Sequence, residues 1–247
     1  MGTSCQQLRR LVPRCLQELY VRLSLSTLRR VLHRAGYRWK RMRRSLKAQR
    51  DPGAFAACQR QLAALHQAEQ RGELALYYAD EVRFARQAPV PYAWQLRGQP
   101  PVGLPAERGA GGYSVLGLWR PGDPQGTGRQ EFVGLLSLTA FTAELFVAAL
   151  NEWVTSLTLP TVLVLDNASI HKAHLVQAHL ASWAAQGLRR FFLPPYSPEL
   201  NRIEILWRFC KHYWLTPAAY LSPETLLQAV TQLIHNIGSR DYWITFA

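Results

Sequence analysis

The stretch from Thr161 to Trp207 constrains the fold of this 247-residue chain more than any other. Its opening run, Thr161-Val162-Leu163-Val164-Leu165, is short, apolar and rich in β-branched side chains, the signature of a strand buried on both faces. It stops at Asp166-Asn167, so the strand delivers a carboxylate to its own C-terminal end, where ligands bind in an open α/β sheet. A second run, Phe191-Phe192-Leu193, is halted by Pro194-Pro195, because proline offers no donor to a ladder. Beyond the turn Tyr196-Ser197-Pro198, the apolar residues Leu200, Ile203, Trp207, Cys210 and Trp214 recur at helical spacing, which predicts one helical face with Glu204 on its border.

An earlier run, Leu74 to Ala79, also reads as a buried strand ending in acid, at Asp80-Glu81, with Val82 to Arg86 as the continuation of a hairpin. Tyr92–Leu96, Tyr113–Trp119 and Glu131–Leu138 follow as antiparallel strands by pattern, separated by proline-rich and glycine-rich turns. Helices are expected over Thr142–Leu157, Lys172–Ala185 and Pro223–Ile237. The fold class is therefore α/β, a mixed sheet flanked by helices, and the 48% hydrophobic composition supplies a core of its own for one or two domains. Cys5, Cys15, Cys58 and Cys210 form no C-x-x-C pair, which points to reduced thiols in a cytosol rather than disulfides or zinc. No apolar run is long enough to cross a bilayer, so no membrane partner is expected.

Residues 1–50 hold 14 of the 29 Lys and Arg and one of the 16 acids, Glu18, so the whole net charge of +13 lies in that arm. A basic arm on a neutral body is the footprint of a polyanion-binding module. Apolar Leu8, Leu11, Leu16, Leu19 and Tyr20 predict a helix interrupted near Pro13. A second helix follows, capped by serines, with Leu28, Val31 and Leu32 as its buried stripe and Gly36 as its left-handed stop. The pair reads as a helix-turn-helix with Arg29, Arg30 and Arg34 facing DNA, followed by Tyr37 and the cationic, aromatic Arg38, Trp39, Lys40, Arg41, Arg43, Arg44 and Lys47 as a wing along the backbone. Asp51-Pro52-Gly53 marks a boundary, and Ala54 to Arg71 reads as a helical connector. The division is thus 1–50 DNA-binding segment, 51–71 connector and 72–247 α/β body, in a protein expected to be cytoplasmic and associated with the nucleoid.

Three acids then stand out: Asp80, Asp166 and Glu204. Crowded ionised carboxylates repel unless a cation compensates them, and an all-oxygen set suits Mg²⁺ or Mn²⁺ rather than zinc. Two such ions, roughly 3.5–4 Å apart, serve in-line phosphoryl displacement. From the residues alone, Glu81 competes with Asp80 and Glu199 with Glu204, while His171 and His174 are either phosphate contacts or polar helix-start groups. Asp166 before Asn167 also suits a turn.

The string Val164-Leu165-Asp166-Asn167-Ala168-Ser169-Ile170-His171-Lys172, with Leu193-Pro194-Pro195-Tyr196-Ser197-Pro198-Glu199-Leu200-Asn201 and Ile203-Glu204, resembles the catalytic core of mariner-superfamily DDE transposases, nearest their bacterial insertion-sequence 630 type. Tyr78 to Phe84 resembles that family's first-acid segment. The resemblance implies an RNase H-like domain with Asp80, Asp166 and Glu204 as the metal-binding acids, the last two separated by 37 residues. It also implies cut-and-paste cleavage at terminal inverted repeats and transfer into target DNA, with two Mg²⁺ or Mn²⁺ ions and a homodimer on duplex DNA. Two departures stand out: Arg202 replaces the proline common before Ile-Glu, and the family's first helix-turn-helix has no counterpart upstream. The alternative is therefore a truncated copy that binds DNA without cutting it.

Overall fold

The computed structural model describes residues 8–38, 47–89, 97–98, 100, 103, 111–122 and 130–244. The chain divides into two compact units, Met1–Ser45 and Leu46–Ala247.

The first unit holds two helices, α1 (Leu8–Leu19) and α2 (Leu25–Arg34). Contrary to the expected interruption, α1 runs through Pro13. A proline in mid-helix forfeits one backbone bond, and here the flanking turns keep the helical path. Ser24 caps α2 by accepting from Thr27 N at 3.1 Å. Gly36, at φ +83°, ends the helical path in the left-handed region that favours glycine. Leu28 is buried, whereas Val31 is exposed, so the stripe on α2 is narrower than its spacing predicts.

The second unit opens with a short 3-10 helix, Lys47–Gln49, followed by α3 (Pro52–Gln70), whose N-cap Asp51 accepts from the amides of Gly53 and Ala54. Five strands follow: β1 (Ala75–Ala85), β2 (Gly112–Arg120), β3 (Glu131–Ser137), β4 (Thr161–Leu165) and β5 (Leu188–Phe192). They form one sheet in the order β3-β2-β1-β4-β5. The pairs β1–β2 and β2–β3 are antiparallel, and β1–β4 and β4–β5 are parallel. Helix α4 (Ala143–Val154) links β3 to β4, and α5 (His174–Ala185) links β4 to β5. Helix α6 (Ile203–Phe209) continues into a π-helical turn at Cys210–Trp214, and α7 (Pro223–Asn236) follows.

Alternation along the strands sorts the core into two layers. Leu76, Tyr78, Val82 and Phe84 of β1 pack with Cys58 and Leu62 of α3 and with the buried faces of α6 and α7. Ala75, Tyr77 and Ala79 pack on the other side with Phe146, Leu150 and Trp153 of α4 and Val176 and Trp183 of α5. β4 is buried throughout, as its unbroken apolar run requires. Burying a side chain such as Phe84 or Phe146 is worth about 1.5–3 kcal/mol, and both are almost wholly enclosed.

Two expectations are corrected by the sheet. β1 does not end at Asp80; it runs to Ala85, because the antiparallel ladder with β2 continues to Ala85↔Gly112 after the recorded parallel pairing with β4 stops at Tyr78↔Val164. The stretch from Leu200 to Trp214 is not one regular helix but a 3-10 turn, α6 and the π turn in succession. The strand expected at Tyr92–Leu96 lies outside the described residues. Among the described residues no helix is long and apolar enough to cross a membrane.

Candidate active site

Asp80 and Asp166 arrive by a shared register. Tyr78 pairs with Val164, and each acid lies two residues farther along its chain, so both stand where the parallel ladder opens. Parity also separates Asp80 from Glu81. Asp80 alternates with Tyr78 and Val82 on the face covered by α6, whereas Glu81 alternates with Ala79 on the face covered by α4 and α5.

Glu204 sits in the first turn of α6, whose Ile203, Leu206 and Trp207 are buried while Glu204 itself is exposed. Three features bring that turn to β1. Asn201 donates through Nδ2 to the carbonyl oxygen of Ala79, at 3.1 Å, next to Asp80. Its own carbonyl accepts from Glu204 N at 3.1 Å. Gly117, opposite Asp80 on β2, leaves the space that the Trp207 ring fills; a Cβ there would stand 2.5 Å from Trp207 Cη2. Arg202 precedes the helix at φ −60°, within the range a proline would impose, so its replacement of proline keeps the helix start.

Asp166 is half-exposed and tied at one oxygen. Its Oδ1 accepts from Ala168 N at 2.9 Å, the turn expected of an aspartate here, and lies 3.1 Å from His171 Nδ1. The His171 contact is off the hydrogen-bond line and is best described as an ion pair. His171 Nε2 lies 3.1 Å from Glu81 Oε1. Asn167 bonds the carbonyl of Leu193 and accepts from Lys172, fixing the end of β4 to the chain beyond β5.

The electrostatics couple the three acids. Burial first, then the charges of Glu204, Glu81 and Asp166, push the Asp80 carboxyl up to about 7. Although Glu204 is exposed as a residue, partial desolvation of its carboxyl raises it as well, with Lys211 opposing the rise and Asp166 adding to it. His171 holds Asp166 below the usual carboxylate range despite partial burial. Burial lowers the ammonium of Lys211, and the charges of Glu204 and Asp80 oppose that fall. Burial would depress His171, but Asp166 and Glu81 outweigh it and lift the imidazole to about 9. Even so, among the described residues no three His, Cys, Asp or Glu side chains are gathered closely enough to hold a metal ion as they stand.

The remaining sequence candidates are scattered. Glu199 is engaged in an ion pair with Arg50. His171 is buried rather than a surface helix-start group, while His174 is exposed at the start of α5. Arg29, Arg30 and Arg34 are exposed on α2. Arg38 donates to the carbonyls of His33 and Tyr37 at 2.9 and 3.0 Å, which commits part of its guanidinium to the end of α2. Lys47 opens a short 3-10 helix, Lys47–Gln49. Trp39, Lys40, Arg41, Arg43 and Arg44 lie outside the described residues. Two residues near the acids received no role in the sequence reading, Asn201 being named only within its motif. Lys211 follows Glu204 by two helical turns, a spacing that places it on the same helix face, and Asn201 precedes Glu204 by one turn.

Comparison with known proteins places this arrangement. The family described as DDE superfamily endonuclease matches residues 75–227, and a winged helix-turn helix family matches residues 4–61. The insertion element IS630 uncharacterized 39 kDa protein of Shigella sonnei is 32% identical over 193 residues, covering 75% of this chain and 51% of that protein. The chain thus spans about half the length of the curated relative it matches. The Mos1 strand transfer complex superposes with a TM-score of 0.59 at 16% identity, covering 98% of this chain and 75% of that one. The Mos1 mariner paired end complex with Mn gives 0.56 at 16% identity, covering 98% and 76%. At that identity the likeness speaks for the fold, and it bears out the RNase H-like mixed sheet preceded in the chain by a helix-turn-helix segment.

Proposed function

The chain belongs to the DDE superfamily of endonucleases, and from that premise we propose that it is a DNA transposase whose metal-binding acids are Asp80, Asp166 and Glu204. The observation that carries the reading is the convergence of the acids: Asp80 and Asp166 each stand two residues past the paired Tyr78 and Val164, and Asn201 ties the turn of Glu204 to Ala79, while burial and the charges of Glu204, Glu81 and Asp166 push the Asp80 carboxyl up to about 7. Crowded carboxylates of this kind accept a divalent cation in place of protons. The donor set fits Mg²⁺ or Mn²⁺, being all oxygen on the α6 side of β1, with Glu81 turned to the other face. Two bound ions would supply Lewis acidity at the scissile phosphate and its leaving oxygen. Asp80 is fixed by its strand and Asp166 by its turn. Glu204, exposed on the helix edge, has the side-chain freedom to close onto them. Lys211 holds positive charge beside Asp80 and Glu204.

The substrate is duplex DNA, cleaved at terminal inverted repeats and joined to target DNA by cut-and-paste. The exposed Arg29, Arg30 and Arg34, with Arg38, Lys40, Arg41, Arg43, Arg44 and Lys47 and the Trp39 ring among them, hold the DNA along its phosphate backbone. The likeness to an insertion-element protein and to Mos1 transposase complexes with transposon ends supports this reading. The working form is a homodimer on two DNA ends, on the nucleoid, with segment 1–50 binding DNA, 51–71 connecting and 72–247 cutting. The test is cleavage of supercoiled plasmid in Mg²⁺ or Mn²⁺. The wild type should nick or linearise it, and Asp166→Asn should fall to background while binding duplex DNA undiminished. A wild type that binds duplex DNA but does not cut it, or an Asp166→Asn variant that cuts like the wild type, would overturn the proposal.

A further inference from the structure

His171 is fully enclosed, yet both of its ring nitrogens face carboxylates from different strands. Nε2 meets Glu81 of β1 at 3.1 Å, and Nδ1 meets Asp166, just past β4, also at 3.1 Å. The ring lies 4.8 Å from that of Phe146 on α4, centroid to centroid, and the His171 carbonyl accepts from Arg190 of β5 at 2.8 Å. Ring, backbone and partners are thus held from four elements. A core histidine needs one donor and one acceptor partner, which neutral backbone groups supply without the cost of burying charge. Here the partners are two acids, and one of them belongs to the proposed metal site.

Both fixed contacts of Asp166 fall on the same oxygen, Oδ1. We propose that His171, itself oriented by Glu81, is a positioning residue that pins Oδ1 of Asp166 and reserves Oδ2 for a divalent cation. This gives Glu81 a role as well: it does not compete with Asp80 for the ion but holds the imidazole from the opposite face of the sheet. The inference rests on the metal-site reading above. It follows a general pattern in which an outer partner fixes the orientation of a metal ligand.

The test measures Mn²⁺ affinity on the full chain, by electron paramagnetic resonance of free Mn²⁺, with thermal melting alongside. His171→Asn places an amide N–H near the Nδ1 position, toward Asp166, whereas His171→Gln reaches the Nε2 position, toward Glu81. His171→Asn, which keeps an N–H toward Asp166 but not the charge of the ion pair, should bind Mn²⁺ more tightly than His171→Gln, and His171→Gln should lose roughly 10- to 100-fold, whatever their relative melting temperatures. A merely structural histidine would give affinities that track stability, or two folded variants that both bind Mn²⁺ as the wild type does; either overturns the proposal. If neither variant folds, Glu81→Gln decides: it keeps a hydrogen-bonding partner but loses the charge that orients the ring. A weakening of about threefold or more supports the proposal, and unchanged affinity overturns it. Asp166→Asn is the control for the underlying reading. If it binds Mn²⁺ like the wild type, the metal site is wrong; if it loses the ion while His171→Gln does not, only the positioning role fails.

Discussion

Asp80 carries the clearest physical signature of the site, and its sign can be worked through. Unfolded, its carboxyl titrates near 4; folded, it titrates at about 7. Between those values the folded chain holds a proton that the unfolded chain has lost, so this group's contribution to stability falls as pH rises across the window. His171, lifted to about 9, contributes stability that is complete below its ordinary value near 6.5 and is lost as pH climbs toward 9. We expect the stability of the metal-free wild type relative to Asp80→Asn to decline from pH 5 to pH 8 in thermal melts, and saturating Mn²⁺ to abolish the decline. A difference flat in pH would show that Asp80 is not raised. The residue scale is also where sequence reading was least decisive. Asp80 and Glu81 are adjacent acids, and only the register of β1 assigns them to opposite faces. His171 was legible as a histidine five residues past Asp166 but not as a buried one, because burial depended on Phe146 and Glu81, distant in sequence.

At the scale of elements, the part written most plainly in the chain is β4, found over Thr161–Leu165 as expected, because an apolar run stopped by Asp-Asn leaves the backbone little choice. β1 was legible in kind but not in length, since its second half is held by β2, whose pairing no local pattern encodes. The helix carrying Glu204 was legible by its apolar spacing, while its π turn was not, because that spacing does not reveal where the backbone bond shifts to Leu215 N donating to Cys210 O. The contact between Gly117 and Trp207 ties these elements together. Gly117→Ala would place a methyl group 2.5 Å from the Trp207 ring, with Phe132 at 2.8 Å behind it. The overpacking should cost about 1–3 kcal/mol in denaturant unfolding and shift α6 away from Asp80, weakening Mn²⁺ binding in the same variant. A variant as stable as the wild type would mean that α6 does not press on β2 as described. Asn201→Ala removes the bond to the Ala79 carbonyl that ties the start of α6 to β1 and should cost about 0.5–1.5 kcal/mol.

At the scale of the molecule, charge is the feature that sequence made plain. The arm of residues 1–50 carries the whole net charge, and the exposed Arg29, Arg30 and Arg34 on α2 are its described face. If all three neutralise phosphates, replacing them with alanine should reduce the slope of log affinity against log salt for duplex DNA by about 2.7, at roughly 0.9 per contact. An unchanged slope would move the interface elsewhere. The catalytic claim has a more direct test: anomalous scattering from crystals of the full chain soaked in Mn²⁺. The account predicts peaks roughly 2.0–2.3 Å from carboxylate oxygens of Asp80, Asp166 and Glu204, with Glu81 on His171 and out of reach. Mn²⁺ found on Glu81 or Glu199, or on none of these acids, would contradict it.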